Sequence, residues 1–249
     1  MTQENSGPAK ARNYGSSIAR GDALAFIDDD CLAKPNWLEE LLNESDRSKK
    51  ALVGGRTWNV LVDDPYATVN QLILDVVYEH HNCDVHNAVF LASNNWLCPR
   101  DMFLAIGGFD EAFRLASEDR DFCRRWRASG HRIVWQKEAG VEHLHTQDVW
   151  KFLKMHFRYG QGAFLYHSRS GKMKEQTSRS LLSFYVAFPG IAIRHLQRES
   201  SWSMRFRIAA LLVVWQFANF CGFVFEMVRS TMPSSQSPSH HETNFIQDK

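Results

Sequence analysis

Three consecutive carboxylates, Asp28-Asp29-Asp30, follow directly on the apolar run Leu24-Ala25-Phe26-Ile27, and no other stretch narrows the possible folds as much. Four apolar residues are too few for a helix of their own and predict a strand buried on both faces. Adjacent carboxylates repel one another unless a cation or several donors neutralise them. In open parallel sheets, ligands bind beyond the carboxyl ends of the strands, which is where this acidic run falls. An Asp-rich turn accounts for a single carboxylate there; three in a row favour metal or substrate binding.

Around that strand the pattern alternates. Residues 8–19 read as a helix stopped by Gly21. Lys34-Pro35-Asn36 opens a second helix with Trp37, Leu38, Leu41 and Leu42 on one face. Residues 51–60 predict a strand in which Gly54-Gly55 permit a bend or a close approach, and residues 65–80 a helix. Residues 88–92 predict another short strand, leading into Ser93-Asn94-Asn95. A short helix at 102–105 ends at Gly107-Gly108. The Ser117 hydroxyl is expected to cap a helix that starts at Glu118, packs Phe122 and Trp126, and stops at Gly130. Residues 132–136 and 141–145 read as two short strands. Thr146 is expected to cap a long helix whose apolar face includes Trp150, Leu153, Phe157 and Phe164. The class is therefore α/β, with a mostly parallel sheet covered on both faces and helical pieces appended at the C-terminal end.

A chain of 249 residues, 44% of them hydrophobic, suffices for one good-sized α/β domain with additions or for two small domains, and general disorder is excluded. A net charge of +1 argues against a nucleic-acid partner held by bulk electrostatics. The five cysteines form no C-x-x-C pair, so neither a zinc ribbon nor a disulfide framework is indicated. Residues 1–11 lack the apolar core of a signal peptide. Residues 208–228, by contrast, are almost continuously apolar, broken by Gln216, Asn219 and Glu226, and are about long enough to cross a bilayer. Arg205, Arg207 and Arg229 flank both ends, so charge sets no orientation. A buried or interfacial hairpin with residues 181–193, interrupted at Pro189-Gly190, is the alternative. The expected division is a domain over 1–171, a helical and possible membrane segment over 172–232 that opens with a basic linker, and a disordered tail over 233–249.

A second acidic cluster, Glu118, Asp119 and Asp121, falls in the first turn of a helix, where the helix dipole alone accounts for it. The dipole also favours the charged form, whereas burial and like-charge neighbours raise the pKa. A carboxylate balanced this way stays ionised at neutral pH and suits a general base. His143 and His145 lie two apart in a strand and project from one face; they are either structural or contact a metal or phosphate. Arg12, beside Asn13, is either a surface cation or a clamp for a diphosphate. Arg124, Arg125 and Arg127 read as a solvated helix face.

In order along the chain, these pieces resemble the family 2 glycosyltransferases, which have the GT-A fold. The N-terminal part of the match is Gly7-x-Ala9-x-Ala11-Arg12-Asn13-x-Gly15, then Ala19-x-Gly21-Asp22, then Phe26-x-Asp28-x-Asp30. Asn95 with Arg100, Gly107-Gly108-Phe109-Asp110-Glu111, Glu118-Asp119 with Asp121, and His143 ahead of Arg158-Tyr159-Gly160 follow in the family's order. The resemblance spans residues 7–171 and implies a Rossmann-like mixed sheet flanked by helices. It implies an inverting transferase that moves a sugar from a nucleotide-sugar donor to a hydroxyl of a glycan or lipid-linked acceptor, in cell-surface polysaccharide synthesis. Asp28 and Asp30, with His143 as a further candidate, would hold Mg²⁺ or Mn²⁺ against the donor diphosphate. Arg12, Asn13 and Asp29 would complete the donor site. Asp119 would be the base, and Asn95, Gly108, Phe109, Asp110 and Glu118 would border the acceptor. The implied location is the cytoplasmic face of a membrane, peripheral or by a single span.

Two strand–helix units normally precede the Arg12 helix in this family. Only about ten residues do so here, which implies that the N-terminal part of the nucleotide-binding half lies outside this chain. Two other classes stand beside the transferase: a non-catalytic, membrane-attached interaction module, and a metal-dependent nucleotidyltransferase, which also uses paired aspartates at a strand end.

Overall fold

A computed structural model describes residues 4–48, 50–144, 146–169, 174–198 and 201–231. Its centre is one mixed sheet of β1 (Ala23–Ile27), β2 (Cys31–Ala33), β3 (Leu52–Asn59), β4 (Asn95–Pro99) and β5 (Ile133–His143), in the order β1-β4-β3-β5-β2. Helices flank it, as the α/β pattern predicts. The sheet is not mostly parallel: β3 and β5 form its one parallel pairing, while β4 opposes both β1 and β3, and β2 opposes β5. Nor is β1 buried on both faces. It closes one end of the sheet, with Leu24 and Phe26 facing the core and Ala25 and Ile27 exposed, the period-two pattern of a half-covered strand.

Residues 88–92 are not a strand. Their side chains plug the core, with Ala88 and Leu91 fully buried; apart from the Ala88 amide, which donates to the Ile133 carbonyl, side chains take up their backbone in place of a ladder. Asn82 donates to the Phe90 carbonyl and accepts from the Val89 and Phe90 amides, and the Tyr78 hydroxyl accepts from Ala92. The strand expected there begins three residues later, as β4. The two strands expected over 132–145 are one continuous β5, whose pairing with β3 shifts register between Gly54 and Arg56.

The helices are α1 (Pro8–Ile18), α2 (Trp37–Arg47), α3 (Pro65–His81), α4 (Arg100–Ala105), α5 (Glu118–Ala128), α6 (Val149–Arg169), α7 (Lys174–Arg198) and α8 (Trp202–Thr231). Two expected caps are absent. Ser117 sits in the left-handed region at φ 75° and makes no side-chain cap. Asp148, not Thr146, caps α6, accepting from the Lys151 amide at 2.9 Å. Trp150 is exposed, and Phe152 fills the buried position of that turn. Residues 174–180, read as linker, belong to α7, which continues through Pro189 without a break. The tail over 233–249 lies outside the described residues.

Two cores result. Trp96 of β4, Phe103 of α4, and Phe122 and Trp126 of α5 pack with Phe26 and Phe109 as an aromatic cluster on one face of the sheet. Val69, Leu72 and Val76 of α3 pack with Phe152 of α6, Ile191 of α7, and Ile208 and Trp215 of α8. The backbones of α6 and α8 touch where they cross. A Cβ on Gly160 would stand 1.9 Å from the Asn219 carbonyl oxygen, and one on Gly222 1.9 Å from that of Phe157. The acidic turn between β1 and β2 crosses one end of the sheet, from one edge strand to the other.

Candidate active site

β1 delivers the acidic turn to the end of the sheet, and β2 then pairs with the end of β5, setting Cys31 opposite His143. That register brings His143 Nε2 to 3.2 Å from Asp30 Oδ2. The ligand atoms of Asp30, Cys31 and His143 all lie within 4.8 Å of one another. A carboxylate beside an imidazole is a donor set that fits a divalent transition ion. The thiol is less suited, because burial and the nearby Asp30 and Asp28 charges push its pKa up to about 12. His145, expected to share the face of His143, lies outside the described residues.

Asp28 stands outside this group. Its Oδ1 accepts from Arg12 Nη2 at 2.7 Å, while Arg12 Nη1 donates to Glu118 Oε1 at 2.8 Å. One largely buried guanidinium thus ties the strand-end carboxylates to the start of α5. Asp29 is exposed. At the start of α5, Glu118 is buried, and burial together with the Asp119 charge pushes its carboxyl up to about 7 despite Arg12. Desolvation also raises Asp119, against a 2.7 Å hydrogen bond that its Oδ1 accepts from the Arg120 amide.

A folded-state pKa above the unfolded one makes Glu118 a stabilising group below its ordinary value of 4.5, a contribution lost as pH rises through about 7. The Tm difference between Glu118→Gln and the wild type should therefore move in the variant's favour as pH rises across that window. A difference that stays constant in thermal melts would refute the assignment.

The turn at Gly107-Gly108-Phe109-Asp110 is built from α1. The Asn13 side chain accepts from the Phe109 amide at 2.8 Å and donates to the Phe109 carbonyl at 2.9 Å. Gly108, at φ 64°, leaves room for it, since a Cβ there would meet Asn13 Oδ1 at 2.6 Å. Arg125 locks the turn from the other side, donating to the Ile106 and Gly108 carbonyls and to buried Asp121. Arg125 is thus a clamp and not part of a solvated face. Asp110 accepts from Arg169 at the end of α6. Asn95 is buried and fully engaged: its oxygen accepts from Trp37 Nε1 at 2.7 Å, and its nitrogen donates to the Arg56 and Ala139 carbonyls. Its side chain is a staple between α2, β3 and β5.

Tyr159 of α6 was not singled out as a site residue. Desolvation raises its hydroxyl pKa, and the charges of Asp119, Glu118, Asp28 and Asp30 add to the rise, which places it by the acidic groups. Its position inside Arg158-Tyr159-Gly160 was the available signal. For Cys31, the signal was its place next to Asp30.

Residues 1–107 match the family model "Glycosyl transferase family 2". This part of the chain belongs to that family. The chain is similar to a glucosyl-dolichyl phosphate glucuronosyltransferase of Haloferax volcanii, 28% identical over 157 residues that make up 56% of this chain and 48% of the relative. It is also similar to a pre-mycofactocin glycosyltransferase of Mycobacterium tuberculosis, 30% identical over 161 residues, 63% of this chain and 34% of the relative. The chain thus spans between a third and a half of these relatives' lengths. Among solved structures, a mannosyltransferase of Pyrobaculum calidifontis in complex with GDP-Man and Mn²⁺ superposes with a TM-score of 0.54 at 14% identity. It covers 90% of this chain, which covers 66% of that one. The family 2 domain has the GT-A fold.

Proposed function

We propose that this chain transfers a sugar from a nucleotide-sugar donor to a hydroxyl of a glycan or lipid-linked acceptor, with inversion at the anomeric carbon. The observation that carries this reading is the bridge from Asp28 through Arg12 to Glu118, which joins the strand-end carboxylates and the α5 carboxylates into one site. Asp119 accepts the acceptor's hydroxyl proton, the freed oxygen bonds to the anomeric carbon, and the bond from that carbon to the nucleoside diphosphate breaks. Asn13, Arg125 and Gly108 hold the turn of Phe109 and Asp110 that borders the acceptor. Arg12, already shared between two carboxylates, fixes the donor side relative to the base.

Asp30 and His143 would hold a divalent cation, with Asp28 joining through the oxygen that Arg12 leaves. When bound, the cation neutralises charge on the departing diphosphate. An imidazole in the set favours Mn²⁺ over Mg²⁺, which prefers oxygen alone. The Pyrobaculum structure, which holds Mn²⁺, supports the choice. The Haloferax relative's name, with its dolichyl phosphate, supports an acceptor presented at a membrane. An acceptor of that kind supports a place at a membrane surface, and we propose its cytoplasmic face.

The test is a Mn²⁺ titration against a panel of sugar nucleotides, with donor binding read by calorimetry. Tighter binding with Mn²⁺ than with Mg²⁺, abolished by Asp30→Ala, is the expected result. Donor binding indifferent to Asp30→Ala would sink the proposal. Release of free diphosphate in place of nucleoside diphosphate would mark nucleotidyl transfer instead.

A further inference from the structure

The two faces of α8 differ. Ile208, Trp215, Ala218, Gly222 and Glu226 are buried, packed against neighbours that include α3, α6 and α7. On the opposite side Trp202, Phe206, Val213, Phe217 and Phe220, spaced three, four or seven apart, are between 62% and 80% exposed. That spacing aligns them in one stripe. The helix is long and apolar enough to cross a membrane, and most of its apolar stretch is not buried. An apolar stripe of this extent marks an interaction surface.

Charge and rim chemistry commit the occupant to lipid. Between Arg207 and Glu226, α8 has no charged residue. At its N-terminal rim the Arg205 guanidinium lies 5.3 Å over the Trp202 ring, and Arg207 is exposed in the same turn. Indole and guanidinium together suit the headgroup level, where the cations meet anionic phosphates. The stripe itself presents no hydrogen-bonding group between Arg207 and Phe220, whereas protein interfaces carry about one hydrogen bond per 100–200 Å².

The packing also fixes the orientation. The backbone contact at Gly160 and Gly222, the 2.9 Å hydrogen bond from Gln161 to Glu226, and the ring pair Phe157–Phe225 fasten α8 to the middle of α6. Lys154 and Arg158, exposed on α6 within a turn of that crossing, would enter hydrocarbon if α8 crossed a bilayer. We propose that α8 lies in the plane of an anionic membrane surface, its stripe seated in lipid and its other face carrying α6 and the family 2 domain. This rests on the membrane-proximal reading of the acceptor but not on sugar transfer.

The test uses the full chain, without donor, and vesicles of phosphatidylcholine with phosphatidylglycerol. Flotation should carry the wild type with the vesicles. Phe217→Glu/Phe220→Glu should reduce the bound fraction at least tenfold with an unchanged circular dichroism spectrum and Tm. Val62→Glu, at an exposed apolar position in the loop before α3, should leave binding as it is. Nitroxides attached to Phe206→Cys, Val213→Cys or Phe220→Cys, each in a Cys83→Ser/Cys221→Ser background, should report one common shallow depth. Depths that descend toward the bilayer centre would overturn the in-plane arrangement. A wild type that stays off vesicles, or binding that survives the double substitution, would overturn the lipid assignment. Because no step depends on catalysis, failure of the transferase reading leaves this result interpretable.

Discussion

Asp119→Asn is expected to lower sugar transfer by about 10²–10⁴-fold while leaving donor and Mn²⁺ binding within a few-fold of the wild type. Asparagine keeps the shape at the start of α5 and can still accept from the Arg120 amide, but it cannot take up the acceptor's proton. The wild-type rate should also lose activity toward acid at a pH above the ordinary carboxylate range. Burial holds the Asp119 carboxyl above its ordinary range and Glu118 up to about 7, so each takes up its proton at a higher pH than an exposed carboxylate does. In the variant, the part of that acid limb belonging to the base disappears. Initial rates across pH, read together with donor binding by calorimetry, separate the two effects. An Asn variant within tenfold of the wild-type rate would remove Asp119 from the role.

Gly222→Val is expected to destabilise the protein by about 3 kcal/mol, near the top of the usual range for overpacking. The clash is with a carbonyl oxygen at 1.9 Å and backbone carbons near 3 Å, so no rotamer change relieves it and the two helices must separate. Separation would expose Gln161 and Glu226 and open the second core at Trp215. Gly15→Ala is the matching control. It lies in α1 with nothing within 4 Å of a new Cβ and should be neutral or stabilising by up to about 1 kcal/mol. Denaturant midpoints for both variants, measured in the same detergent, decide the matter. Equal midpoints would mean that α8 is not held at this crossing.

Much of this site was legible residue by residue, because its chemistry is concentrated in short runs: the strand-end aspartates, the glycine turn and the acidic start of α5. What the residues cannot reveal is how each side chain divides its bonds. Arg12 was read as a possible diphosphate clamp, yet in the folded chain two carboxylates already occupy it. Asn95 was expected at the acceptor, yet its amide is consumed in stapling β3 and β5, an assignment that requires the register shift beside Gly54 to be known. Local pattern misled at residues 88–92, where an apolar run has the composition of a strand but takes its hydrogen bonds from Asn82 and Tyr78. It misled again at Ser117, whose left-handed backbone turns the hydroxyl away from the cap. Sheet direction was the largest miss. Alternating elements suggest parallel strands, whereas β4 is reached through the side-chain-held loop before it and runs against both neighbours.

The short ladder between β2 and β5 has a further consequence. Cys31 stands opposite His143 over only three paired positions. A slip of one residue would send the imidazole to the other face of the sheet, away from Asp30. The proposed donor set for a cation is therefore a register gauge: it is assembled only when β2 pairs with β5 in frame. With the proposed cation bound there, a misregistered chain would be well packed elsewhere yet blind to metal, and metal affinity would report the register as well as the chemistry of the ligands.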